Sequence, residues 1–292
     1  MSTTAGAQLA LGTAQFGLPY GVAGRSEMVP EGDVRAILEH AAARGVRRLD
    51  TAAAYGTIEE RLRRIAAGLD FEVVSKIAAI PAGLDLGSTC EFVSRMLDQS
   101  LARLGPLLRG MLFHRAEDLS GDFGAAAWDV AMRWAERQHV ALGVSCYEPT
   151  ALVELRRHYP ITMAQLPGNA LDQRIAATGT ALSDVELSVR SLFLQGLLLM
   201  PQPAAASRLP AADGALSRWH RWCEQRGLPL LTAAIAAAKG LPGIQFCVVG
   251  VDNVAQFDSI ADAWQEAEPA FAAELATDDP SIIDPRKWEL QA

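Results

Sequence analysis

The chain has 292 residues, half of them hydrophobic, and a net charge of −8. That length holds one large domain or two ordinary ones. An acidic chain without a basic block is poorly suited to nucleic acid or to anionic membrane surfaces. No apolar run approaches the roughly 18–20 residues of a membrane span. The N-terminus MSTTAGAQLALG lacks the basic segment of a secretory signal. Cys90, Cys146, Cys223 and Cys247 are far apart with no C-x-x-C pair, and the five histidines form no H-x-x-x-H pair. These spacings argue against a metal site or a disulfide framework and fit a reducing cytoplasm.

Leu9 to Gly12 reads as a short strand, followed by the turn GTAQFGLPYG. Asp33 to Arg44 reads as a helix with Val34, Ile37, Leu38 and Ala41 on one face. Arg48 to Asp50 is the next strand, and Ile58 to Ala67 a charged helix ended by Gly68. Phe71 to Lys76 is a β-branched strand ending in lysine. Cys90 to Leu104 is an amphipathic helix, and Gly110 to His114 a strand ending in histidine. Phe123 to His139 is helical, and Val140 to Ser145 is a strand. Pro149 to His158 is a helix, and Thr162 to Leu166 a strand holding Gln165. The crossover over Arg174 to Glu186 is expected to be short or irregular. Leu187 to Ser191 is a strand, followed by FLQGLLLM and a loop bracketed by Pro201, Pro203 and Pro210. Helices over Ala215 to Arg226 and Leu231 to Lys239 precede the last strand, Phe246 to Gly250. A helix over Val254 to Glu268 leads into an acidic tail.

Eight strand-plus-helix units, with short strands that are apolar rather than alternating, predict a parallel sheet buried on both faces. The expected fold class is α/β: one (β/α)₈ TIM barrel over residues 1–292, with a tail at 269–292 and the active site at the C-terminal strand ends. A doubly wound sheet is the alternative, but no strand is followed by G-x-G-x-x-G.

The predicted strand ends carry chemistry. The second gives Asp50, with Tyr55 in its loop; the third gives Lys76; the fourth gives His114. Free tyrosine is a poor acid at neutral pH. An ammonium ~4 Å away at an effective dielectric of ~20 interacts with a phenolate by ~4 kcal/mol, or about three pKa units at most. Lys76 would then activate Tyr55 as a general acid, Asp50 would anchor Lys76, and His114 would orient the substrate oxygen. Taken singly, each has a plainer reading as a cap, an edge charge or a packed ring. Trp128, Trp134, Trp219, Trp222 and Trp264 read as packing between helices and barrel. Trp288, Phe16 and Tyr20 are candidates for a substrate-facing aromatic surface.

LGTAQFG, LDTAAAYG, VSKI, LFHRAEDL, GVSCYEP, AQLPGNALDQR, VRSLFLQGLLL and VVGVDN together resemble the aldo-keto reductase superfamily over nearly the whole chain. LDQR, FLQGLLL and SIIDPRKW look more like a bacterial branch associated with polysaccharide or nucleotide-sugar metabolism. The resemblance implies an NAD(P)H-dependent carbonyl oxidoreductase with a tetrad at Asp50, Tyr55, Lys76 and His114, acting on a small, sugar-like substrate. It implies a cofactor bordered by Gly12, Thr13 and Asp50. Ser145 and Gln165 would hold the carboxamide, with Cys146 standing where many members have asparagine. Arg190 stands where some stack a tyrosine on the nicotinamide. Ser191, Gln195, Gly196 and Leu197 would wrap the pyrophosphate. Gly250, Asp252, Asn253 and Gln256 would lie on the adenosine side, with Ile260 in place of an adenine-contacting asparagine. That adenosine segment has no lysine or arginine for a 2′-phosphate, and Asp252 would repel one. NADH is therefore expected to serve at least as well as NADPH, unless Arg25 or another loop residue supplies the charge, or Asp252 merely caps the following helix. Other readings are a non-catalytic NAD(H)-binding sensor and a redox-neutral epimerase. A monomer is expected.

Overall fold

A computed structural model describes residues 6–19 and 28–288 of the chain. Eight parallel strands form a closed barrel in sequence order. They are β1 (Gln8–Gly12), β2 (Arg48–Asp50), β3 (Glu72–Ile77), β4 (Leu108–Phe113), β5 (Ala141–Ser145), β6 (Met163–Pro167), β7 (Glu186–Arg190) and β8 (Ile244–Gly250). Gly12 is level with Asp50 on one side and Gly250 on the other, so β1 closes the ring at the end where the candidate residues stand. A ring has no exposed edge strand, and its strands are apolar because helices cover the outside.

The barrel interior is filled in layers, as expected for this closure. At the bottom, Arg48 donates to Glu72 (2.7 Å) and Glu186 (2.8 Å), with its guanidinium 4.0 Å from the centre of the Phe246 ring. Val74, Leu112 and Met163 form the middle layer. Gly143 is required beside it, since a Cβ there would stand 1.8 Å from the Met163 carbonyl oxygen. Asp50, Lys76 and Gln165 form the top.

The expected alternation holds in all eight units, with some boundaries moved. The helix expected from Cys90 starts earlier, at Leu86, because the Asp85 carboxylate accepts from the Ser88 N–H (2.7 Å) and caps it. The crossover after β6 is indeed irregular, a 3₁₀ segment over Arg174–Thr178. The proline-bracketed loop is instead partly a helix, Gln202–Arg208. Pro201 caps it and Pro203 sits in its first turn, where a missing N–H costs nothing. This helix packs with Asp213–Arg226, Leu230–Lys239 and the tail into a second apolar cluster around Trp219 and Trp222. Among the described residues no helix is long and apolar enough to cross a membrane.

Candidate active site

The strand register brings the polar top layer together. Lys76 is 1% exposed and donates to both Asp50 oxygens (2.7 and 2.8 Å) and to the Thr51 carbonyl (2.9 Å). Gln165 donates to the same Asp50 carboxylate from across the barrel (2.7 Å). Burial pulls the Lys76 pKa below the usual lysine range, against the opposing pull of Asp50.

Tyr55 lies one loop beyond Asp50. The Lys76 Nζ stands 5.7 Å from its ring centre, and the His114 ring meets it edge-on at 6.0 Å. Burial and the Lys76 charge push the His114 pKa down to about 4, so its imidazole is neutral at neutral pH. The Tyr55 loop is held by backbone packing. A Cβ on Gly17 would stand 1.9 Å from the Tyr55 carbonyl oxygen, and one on Gly56 would stand 2.4 Å from the Gly17 carbonyl oxygen. Two glycines thus let the β1 and β2 loops touch. Gly56 also takes φ +59°, which glycine adopts without penalty.

A cleft of about 300 Å³ opens beside Tyr55 and runs over the ends of β1, β7 and β8. Gly12, Thr13, Asp50, Arg190, Ser191, Gln195, Gly196, Gly250, Asp252 and Gln256 all line it. The loop after β7 is unusual: Ser191, Leu194 and Gln195 have φ of 63°, 47° and 56°, and Gly196 has 90°. Its Leu194 and Gly196 N–H groups donate within the loop, to the Ser191 and Phe193 carbonyls (2.9 Å each), while Ser191, Gln195 and Gly196 line the cleft. The Thr13 Oγ1 and Gln165 Oε1 are buried without a hydrogen-bond partner among the described residues.

The sequence matches no family model and no curated protein. Solved structures do match. The aldo-keto reductase AKR11C1 from Bacillus halodurans, in its holo form, is 17% identical over 96% of this chain and 95% of its own, with a TM-score of 0.70. The glycerol dehydrogenase AKR11B4 from Gluconobacter oxydans is 19% identical over 95% of this chain and 92% of its own, with a TM-score of 0.66. The barrel shares its fold with an aldo-keto reductase.

Several expected site residues stand elsewhere. Phe16 is fully buried in the main core, because the turn after β1 is a short helix, Ala14–Gly17, that faces inward. Cys146 is 1% exposed and packed in the same core; burial pushes its thiol up to about 12, so it offers no polar group to the cleft. Leu197 opens a 3₁₀ turn that points into the second apolar cluster. Ile260 is likewise core. Ser145 and Gln165 pair across β5 and β6 but are buried below the cleft. Asn253, not Asp252, caps the last long helix, accepting from Gln256 N–H (2.9 Å). Trp288 donates to the Ile282 carbonyl (3.0 Å) and packs on the second cluster. Trp128, Trp134, Trp219 and Trp222 are buried as expected. Tyr20 and Arg25 lie outside the described residues.

The cleft also recruits residues that strand-end reasoning missed. Gln15 lines it, and its amide occupies the space a Cβ on Gly250 would need, at 2.4 Å. Phe193 lines the β7 side. Tyr147 stands two residues beyond the β5 end, with the Arg190 and Arg286 guanidiniums 4.1 and 3.3 Å from its ring centre. The GVSCYEP motif held that tyrosine in plain view, but its partners come from β7 and the tail.

Proposed function

We propose that the chain is an aldo-keto reductase-type, NAD(P)-dependent oxidoreductase that interconverts a small carbonyl compound and its alcohol. The observation that carries the reading is the ammonium of Lys76, locked by Asp50 and the Thr51 carbonyl beside Tyr55 and His114 at the mouth of a cleft. A dinucleotide, when bound, would supply or accept the hydride. The orphaned Thr13 hydroxyl and Gln165 carbonyl fit the polar groups of such a molecule, and the loop over Ser191 to Gly196 lies along the same cleft. Gly12, Thr13, Gln15, Ser191, Gln195, Gly196, Gly250, Asp252 and Gln256 would hold it, with Gln165 nearest its carboxamide.

The residues divide the remaining work. Tyr55 gives a proton to the carbonyl oxygen in the reducing direction and takes it back in the other. Neutral His114 donates a hydrogen bond to that oxygen and orients it. Lys76 favours the phenolate. At ~6 Å and an effective dielectric of ~20 its unscreened effect is about 3 kcal/mol. Asp50, in direct contact with the same Nζ, offsets part of that, so Lys76 acts less strongly than a lone ammonium would. Asp50 is an anchor, and Gln165 braces it.

The adenosine end supports NADH at least as well as NADPH. Asp252 lines the cleft with its backbone N–H given to Gln256 (2.8 Å), and the described residues there include no lysine or arginine. A sugar-like substrate, a monomeric state and a cytoplasmic setting belong to the same reading. It is tested by following NADH and NADPH absorbance with a panel of aldehydes, keto sugars and nucleotide sugars. Turnover of at least one is expected, with NADH bound at least as tightly as NADPH; NADPH bound about tenfold tighter contradicts that preference. Failure of every carbonyl with both cofactors, or absence of dinucleotide binding, contradicts the reading.

A further inference from the structure

We infer that Arg190 makes the cleft selective for carbonyl substrates bearing an anionic group, a carboxylate or a phosphate; this rests on the reductase reading above. Arg190 is the last residue of β7 and lines the same cleft as Tyr55. Its guanidinium lies 4.1 Å from the centre of the Tyr147 ring. Among the described residues it makes no hydrogen bond and no ion pair. Among the described residues, three other cations near the cleft are committed. Lys76 is bound by Asp50, Arg174 by Asp172 and Glu148, and Arg286 by Asp284.

The platform under Arg190 is itself fixed. The Tyr147 carbonyl accepts from Arg174 (3.1 Å), and its ring carries the Arg286 guanidinium at 3.3 Å. Arg286 is tied in turn to Asp284 by bonds of 2.9 and 2.7 Å. A guanidinium stacked on a ring keeps its N–H donors at its edges, in a planar fork that matches a carboxylate or phosphate. Because stacking orders it in advance, little freedom is lost when an anion docks. Its charge also reaches the reacting end, where it disfavours protonation of both His114 and Lys76. An anion held by Arg190 would therefore lie within the field of the groups that handle the carbonyl.

The test measures kcat/KM for two matched pairs: glyceraldehyde with glyceraldehyde 3-phosphate, and methyl 4-formylbenzoate with 4-formylbenzoate. Wild type is compared with Arg190→Met and Arg190→Lys, and the anionic-to-neutral ratio cancels any general loss in a variant. At least one anion should be favoured about ten- to hundredfold in wild type, a preference abolished by methionine and reduced by lysine. The pair that responds distinguishes phosphate from carboxylate. Equal ratios in wild type and Arg190→Met overturn the inference while leaving the reductase reading intact. So does an Arg190→Met that weakens dinucleotide binding with an unchanged ratio, which would assign Arg190 to the cofactor. If no carbonyl is turned over, the reductase reading fails, and calorimetric titration with glycerol 3-phosphate and 4-hydroxymethylbenzoate decides separately. Binding that Arg190→Met removes sustains the anion site; no binding refutes it.

Discussion

Removing the charge of Asp50 should expose how much the barrel depends on the ion pair at its top. Lys76 is 1% exposed, and its three protons go to the two Asp50 oxygens and one carbonyl at 2.7–2.9 Å. Asp50→Asn keeps the shape but leaves an ammonium without its counter-ion in a closed interior. Breaking a buried pair from one side costs about 3–5 kcal/mol, because the remaining charge is uncompensated. Lys76→Met should cost somewhat less, since the Asp50 side chain is 9% exposed at the cleft and keeps the Gln165 hydrogen bond. The double variant should be more stable than the two losses summed, by roughly 2 kcal/mol, as expected for groups in contact. Urea denaturation of all four proteins at one pH gives the cycle directly, provided m is unchanged. In Asp50→Asn the loss should shrink as pH rises through the depressed lysine pKa, since the neutral amine is no longer penalised. A single-variant loss under about 1 kcal/mol, or strict additivity, would refute the picture of a buried, mutually dependent pair.

Two further outcomes follow from the surrounding geometry. Gly17→Ala puts a methyl 1.9 Å from the Tyr55 carbonyl oxygen, so the Tyr55 loop must move. A displacement of about 1 Å in such a group costs roughly a hundredfold in kcat; steady-state rates within twofold of wild type would show that the contact does not position Tyr55. His114 takes up a proton only near pH 4 in the folded chain, against 6.5 for a free imidazole. Its contribution is complete above pH 6.5 and is lost as pH falls toward 4, up to about 3 kcal/mol. The acid slope of unfolding free energy should therefore be shallower in His114→Gln, and identical slopes would refute the assignment.

Much of the barrel was legible because most strands are short, largely apolar runs set between helical patterns. β2 ends at Asp50 as expected and β3 runs one residue past Lys76, to Ile77, so Asp50 and Lys76 could be put at one mouth before any contact was known. Inward or outward direction was harder. Phe16 and Leu197 sit in loops whose short helical turns aim them at the core, and a loop sequence does not carry that sense. The helix Gln202–Arg208 was hidden by prolines that mark its start rather than forbid it. The Arg190–Tyr147–Arg286 stack joins β7, the β5 loop and the tail, and no local pattern links residues so far apart. Asp252 was the cap considered from sequence, but the neighbouring Asn253 accepts the Gln256 N–H and caps the helix.

The central claim is that Tyr55 moves the proton while Lys76, Asp50 and His114 prepare it. Tyr55→Phe removes one oxygen from a ring whose packing against His114 it retains. The direct measurement is carbonyl-dependent NADH oxidation by that variant, alongside fluorescence titration of NADH. The account predicts turnover lower by about 10²–10⁴-fold, the usual scale of a positioned acid, with dinucleotide binding preserved. Turnover close to wild type in Tyr55→Phe would contradict it.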